Sequence, residues 1–316
     1  MPLACDHLVE VAENPLPPGG GLVPLVAADG VTLRAAYWPG GPHGTVLILP
    51  GRSEFIEKYG ECVGEFQARG FGVLALDWRG QGGSERLLAN PRKGHVDDFA
   101  HYRRDLDAAL DHLGSIGAPR PWFALAHSMG GAVLAHALCR GESRLNRAVL
   151  SAPMFGIVGL STRGAGAYAA AALNLIGLGG QFVPRAGEHA ATVFAPFTGN
   201  PLTSDERRYL AAQAVLIGGP DLAIGAPTVS WVAAALRLIR DFEEPTFGLK
   251  VRCPMLVLAA GADSIVSTPA IERITLGLRG ARSVTIPGAR HEILMERDGL
   301  RGQALAAIDA FIRSEA

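Results

Sequence analysis

Apolar positions recur along this chain in two alternating periods, short continuous runs and helical stripes. Residues 22–28 and 31–38 read as strands joined at Asp29-Gly30, because Asp-Gly between such runs signals a hairpin. Residues 45–49 are a continuous apolar run and predict a buried strand. A helix follows, with Tyr59, Cys62, Val63 and Phe66 on one face and Gly70 as its stop. Residues 72–76 predict the next strand, ending at Asp77. Asp97 or Asp98 caps a helix whose face is Tyr102, Leu106, Ala109, Leu110 and Leu113, stopped by Gly114. Residues 122–126 predict a strand, 132–138 its helix, and 148–150 a further strand.

Such strict alternation implies an α/β fold, a mostly parallel sheet flanked by helices on both faces. The alternation stops near Phe155 and resumes after Glu244. Between them come an Ala/Gly-rich helical stretch, a helix opened by Ser204-Asp205 and another opened near Thr228. Residues 255–258, 269–278 and 283–286 then read as strand, helix and strand. A last helix carries Leu305, Ile308, Phe311 and Ile312 on one face. The expected organisation is a core of residues 1–154 and 245–316 interrupted by a helical insertion, 155–244.

The stretch Ala126-His127-Ser128-Met129-Gly130 sets a serine on the sharp turn between a buried strand and a small-residue helix. That turn crowds the positions two before and two after the serine, here Ala126 and Gly130, and lifts the hydroxyl clear of the sheet. In sheets of this class, reactive residues sit in loops at the carboxyl ends of strands. Four such loops carry Gly51-Arg52, Ser128, Asp263 and His291. A serine hydroxyl is a weak nucleophile near neutral pH; His291 would take its proton, and Asp263 would fix the histidine tautomer. The backbone N–H groups of Arg52 and Met129 would hold an oxyanion. Asp77 is the rival acid, and His127, His95 and His101 are the rival bases. The Arg52 side chain is read as a solvated arginine near Glu54 or Glu57, in preference to a phosphate contact.

Composition narrows the picture further. Hydrophobic residues make up 48% and charged residues 19%, against about 25% charged in an average soluble domain, so a large core is expected. The net charge of −1 gives no electrostatic footprint for nucleic acid. Cys5, Cys62, Cys139 and Cys253 lack paired spacing and histidine partners at metal-ligand intervals. A reducing, cytoplasmic setting without a metal or other cofactor fits best. The N-terminus lacks a basic-then-apolar leader pattern. Residues 164–183 are uncharged and rich in Ala, Leu and Gly, and read as a buried or surface-apolar helix in preference to a membrane span.

On these residues the chain resembles an α/β-hydrolase, over about residues 20–314. More narrowly, it is similar to the branch of lysophospholipases, monoacylglycerol lipases and serine aminopeptidase-like hydrolases. Asp77-Trp78-Arg79-Gly80-Gln81-Gly82-Gly83-Ser84 matches that branch's Asp-x-Arg-Gly-x-Gly-x-Ser signature, and that loop is read as structural. Leu49-Pro50-Gly51-Arg52 sits at the oxyanion loop, and its Pro-Gly-Arg form resembles the lysophospholipases. So do Arg86-Leu87-Leu88, Gly94-His95-Val96 and, in the insertion, Leu202-Thr203-Ser204-Asp205 and Pro227-Thr228 with Trp231. Two departures are Ala126, where the branch has Gly, and an oxyanion loop without its usual His.

The resemblance implies a serine carboxylic-ester hydrolase acting on a single-acyl-chain lipid, a lysophospholipid or monoacylglycerol, through an acyl-enzyme on Ser128. The apolar insertion between Phe155 and Glu244 would cover the acyl chain, though packing against the core explains its composition equally well. Such substrates imply peripheral contact with the inner membrane surface; no oligomeric state is assigned. A small-ester carboxylesterase or a proline-iminopeptidase-like enzyme would share the triad. The peptidase would need carboxylates to hold a free amino terminus, with Asp205, Glu206, Asp221, Asp241, Glu243 and Glu244 as candidates. A non-catalytic binding protein on the same scaffold is the remaining alternative.

Overall fold

The computed structural model describes residues 3–184, 186–188 and 195–313. Apolar runs with small or branched side chains form the centre of an eight-stranded sheet, ordered β1-β4-β6-β5-β7-β8-β9-β10. Its parallel part is β6 (Gly72–Leu76), β5 (Thr45–Leu49), β7 (Trp122–His127), β8 (Arg147–Ser151), β9 (Met255–Ala260) and β10 (Ala281–Ile286). Strands β5, β6 and β7 are buried along their whole length, as runs covered on both faces require. At the other edge, β1 (Gly21–Leu22) and β4 (Ala35–Trp38) run antiparallel. The outer strand β10 exposes residues 282–285.

The hairpin at Asp29-Gly30 is present but shorter than the sequence pattern predicts. Only β2 (Leu25–Val26) and β3 (Thr32–Leu33) pair there. Pro24 has no N–H to extend the ladder. Beyond β3, the Arg34 N–H is taken by the Ser84 hydroxyl at 2.8 Å. The two outer parts of the predicted runs therefore join the main sheet as β1 and β4.

Helices α1 (Gly60–Ala68), α2 (Ala100–Ser115) and α3 (Ser128–Cys139) link the first parallel strands. All five predicted face residues of α2 are buried. Asp98 accepts from the Ala100 N–H at 2.8 Å at its start. Between β8 and β9 the described residues add no strand to the sheet and supply α4 (Ala165–Leu175), α5 (Glu206–Gly218) and α6 (Val229–Phe242). Asp205 accepts from the Arg208 N–H and Thr228 from the Trp231 N–H, so both helices open at the capping residues expected. Residues 185 and 189–194 of this segment lie outside the described residues, as does residue 314 at the end of the resemblance. Helices α7 (Thr268–Gly277) and α8 (Asp298–Arg313) complete the core.

The segment 164–183 forms α4 and a following turn. Tyr168, Leu175 and Ile176 are exposed at 65%, 87% and 71%, so its large apolar residues there face outward, while Ala167 and Ala170 are buried, Ala170 against Val229 and Ala233. Among the described residues, no helix is long and apolar enough to cross a membrane. The four cysteines are free and buried.

Candidate active site

Sheet register brings the four expected loops together. Leu49 lies opposite Ala126, so the loop after β5 emerges beside the turn after β7. Ile286 lies opposite Ala260, so the loops carrying Asp263 and His291 emerge side by side. Ser128 begins α3 with φ +48°, in the left-handed region that costs a non-glycine residue about 1–3 kcal/mol. At Gly130, an added Cβ would lie 2.5 Å from the carbonyl oxygens of Leu49 and Pro50. Only glycine lets α3 start this close to β5.

Ser128 Oγ lies 3.0 Å from His291 Nε2, and His291 Nδ1 lies 2.8 Å from Asp263 Oδ2. With Nδ1–H donating to the carboxylate, Nε2 is left to accept from the serine hydroxyl. The second carboxylate oxygen, Oδ1, accepts from the N–H groups of Ile265 and Val266 at 2.8 and 3.0 Å. Burial opposes ionisation of Asp263. The hydrogen bond and charge of His291, with those two N–H groups, nevertheless hold its carboxyl below the usual range. All three side chains are largely shielded from solvent. This chain of bonds can take a proton from Ser128 and stabilise the resulting imidazolium.

Neither the rival acid nor the rival bases take the place of Asp263 or His291. Asp77 pairs with Arg34 and accepts from the N–H groups of Ile56 and Gly83. His95 meets Thr228 and Asp97. His127 sits beside the site with its ring 4.8 Å from that of His291, but its nitrogens face Glu54 and the His291 carbonyl oxygen.

Ser128, Met129, Arg52 and His291 line one cavity of about 310 Å³. Phe55, Met154, Ile157, Leu216, Trp231 and Val266 make most of its wall apolar. The N–H groups of Arg52 and Met129 donate to no other group among the described residues. For Met129 this follows from its place in the first turn of α3, where N–H groups have no partner within the helix.

The Arg52 side chain departs from expectation. Glu54 is occupied by Lys58 and His127, and Glu57 by Arg34. The guanidinium instead donates to the Gly225 carbonyl at 2.8 Å and to Ser53 Oγ at 2.9 Å, and it lies 5.3 Å from the Trp231 ring centroid. Burial lowers its pKa to about 10, which leaves it charged at neutral pH.

A buried polar cluster behind the triad was not foreseen. Lys58 Nζ bridges Glu54 at 2.7 Å and Glu292 at 2.5 Å. Glu54 also accepts from the Tyr59 hydroxyl, from His127 and from the Gly51 N–H. Burial opposes the charge on Glu54, Lys58 and His127. The mutual attraction prevails, keeping Glu54 well below and Lys58 above their usual ranges and raising the pKa of His127. Two carboxylates thus face the Lys58 ammonium and the His127 imidazole. The only sequence hint was the i,i+4 spacing of Glu54 and Lys58. None of the six carboxylates proposed for an amino-terminus site lines the cavity; Asp205 pairs with Arg208 and Asp241 with His136. Among the described residues, no group of three or more His, Cys, Asp or Glu side chains could hold a metal ion.

Known proteins are similar to this chain in sequence and in fold. Residues 40–298 match the family described as serine aminopeptidase, S33. The chain is 35% identical over 299 residues to lysophospholipase L2 of Escherichia coli, covering 91% of this chain and 86% of that one. It is 30% identical over 267 residues to a probable lysophospholipase L2 of Haemophilus influenzae, covering 84% and 83%. Its fold matches that of a soluble variant of monoglyceride lipase from Saccharomyces cerevisiae, solved with a substrate analogue. The TM-score is 0.71 at 18% identity, over 93% of this chain and 95% of that one. A sheet of this order, with a serine at the strand–helix turn and a match over most of its length, places the chain in the serine aminopeptidase S33 family of α/β-hydrolases, as a serine hydrolase.

Proposed function

We propose that this protein hydrolyses the ester bond of a single-acyl-chain lipid through an acyl-enzyme on Ser128. The observation that carries the chemistry is the unbroken chain from Ser128 through His291 to Asp263, with distances of 3.0 and 2.8 Å. Ser128 Oγ attacks the ester carbonyl carbon while His291 Nε2 takes its proton. The tetrahedral oxyanion is held by the N–H groups of Arg52 and Met129. Collapse breaks the bond to the leaving oxygen, which receives the proton from His291. Water then repeats the sequence on the acyl-enzyme and releases the fatty acid.

Residues 155–244 act as a cap, and the apolar wall of the cavity takes the acyl chain. The lysophospholipase L2 relatives and the Pro-Gly-Arg loop favour a lysophospholipid over a monoacylglycerol. The exposed apolar residues of α4 and its flanks, including Leu160, Tyr168, Leu175 and Ile176, are where the molecule would meet a lipid surface. A peptidase reading has less support. The two carboxylates lining the cavity, Glu54 and Glu292, are both bound to Lys58 and are not free to hold an amino terminus.

The test is initial rate on p-nitrophenyl esters from C2 to C16, lysophosphatidylcholine, monoacylglycerol and a prolyl anilide. Rates should rise with chain length and include the lysolipid. Ser128→Ala should fold normally and lose turnover by a factor of order 10⁶. Turnover of only short esters or the anilide would refute the lipid reading, and near-normal turnover by Ser128→Ala would refute the nucleophile.

A further inference from the structure

The loop from Gly51 to Ser53 carries three N–H donors, and two of them are held from outside the loop. Glu54 Oε2 accepts from the Gly51 N–H. Gln81 Oε1 accepts from the Ser53 N–H at 3.4 Å. The third, on Arg52, is free among the described residues. Gln81 makes a second contact, donating from Nε2 to the Gly51 carbonyl oxygen at 2.7 Å. Its amide thus grips the peptide groups on both sides of Arg52.

The Gly51–Arg52 peptide is planar, and in a trans peptide the N–H points opposite to the C=O. Fixing the Gly51 oxygen therefore aims the Arg52 N–H away from Gln81. The same bond polarises that peptide and makes its N–H a stronger donor. The loop runs against the serine, since a Cβ at Gly51 would lie 3.2 Å from Ser128 Cβ. The loop also needs an external hold, because Ser53 has φ +64°, which non-glycine residues avoid.

Gln81 is well placed to be that hold. It is 2% exposed, and its backbone is tied into a turn through bonds to Trp78 and Ser84. That turn is anchored on Asp77, which accepts from Gly83 and Ile56. A neutral amide is the side chain that can donate to a carbonyl and accept from an N–H at once. A carboxylate there would set a lone pair against the Gly51 oxygen.

We infer that Gln81 is a positioning residue for the oxyanion hole, setting the direction of the Arg52 N–H. This rests on the proposal that the Arg52 N–H binds the oxyanion. A donor that tightens on the developing charge acts on turnover and leaves substrate binding nearly unchanged.

The experiment compares the wild-type chain with Gln81→Met, which keeps length but loses both bonds, and Gln81→Glu, which when ionised cannot donate. Each is assayed on p-nitrophenyl butyrate and on its thionoester, whose C=S sulfur is a weak hydrogen-bond acceptor. Both variants should lose about 10- to 100-fold in kcat on the ester with KM changed less than about twofold. The loss on the thionoester should be smaller, so that the preference for C=O over C=S shrinks. Wild-type kcat in the variants, or equal losses on the two substrates, would overturn the role. If one variant fails to fold, the other carries the test. Fluorophosphonate labelling of the wild type separates the two levels. No labelling, or labelling that persists in Ser128→Ala, sinks the nucleophile itself, whereas normal labelling and turnover with indifferent Gln81 variants sinks only the clamp.

Discussion

Single atoms decide much of this site. Gly130 has no room for a methyl, so Gly130→Ala must push α3 away from the Leu49 and Pro50 carbonyls. The expected cost is about 1–3 kcal/mol, as for overpacking in a tight core, together with a fall in turnover as Ser128 shifts. Urea unfolding and ester hydrolysis check the two separately. Ala126, by contrast, is fully buried in β7 and its methyl is accommodated two residues before the serine. The positions of Ser128 and Asp263 were legible in the sequence because each follows a strand that its apolar run marks plainly, whereas the strand before His291 is a half-exposed edge strand and is marked less clearly. The fate of the Arg52 side chain was not legible. Its partners, Gly225 and Trp231, are 173 and 179 residues away in the chain, and local charge spacing pointed instead to Glu54 and Glu57.

Between elements, the loop after β5, the start of α3 and the loop after β10 are joined by the buried group of Glu54, Lys58, His127 and Glu292. Lys58→Met would leave two buried carboxylates without their ammonium partner. Removing one partner from a buried ion pair costs about 3–5 kcal/mol. The loss should depend on pH. Glu54 is held below its ordinary range, so its contribution is present above about pH 4.5 and is lost as pH falls through its folded value. The stability difference between wild type and variant should therefore be large and nearly constant from pH 7 to about 4.5 and shrink as pH falls below that toward the depressed folded value of Glu54, as urea denaturation at several pH values would reveal. A gap independent of pH would rule out this electrostatic origin. Beyond the i,i+4 spacing of Glu54 and Lys58, no pattern of the sequence announces such a group, since Lys58 and Glu292 are 234 positions apart and burial of charge leaves no periodic trace.

Across the whole molecule, strand–helix alternation made the parallel sheet readable, because each buried run is long and unambiguous. The first strands were harder. Two-residue strands are too short to carry a period, and Pro24 and Arg34 interrupt the runs that suggested longer ones. The outward-facing side of α4 leads to a test at this scale. Leu175→Ser with Ile176→Ser removes two well-exposed apolar side chains, each worth about 1.5–3 kcal/mol on full burial. With about half of each side chain buried at the interface, partition onto lysophosphatidylcholine-containing vesicles should fall by roughly ten- to a hundredfold, while turnover of p-nitrophenyl butyrate in solution stays unchanged. Unaltered vesicle binding would move the contact to another face.

Arg52 belongs to two bodies at once. Its main chain lies in the loop beside the serine, while its guanidinium is fastened to Gly225 and stacked near Trp231 at the first turn of α6. It behaves as a shared rivet. When an occupant spreads the helices from the sheet, the rivet must either shear or carry the loop along. Occupancy of the hollow and alignment of the reacting groups are then one mechanical variable, and a guest that fits badly is penalised in speed as well as in grip.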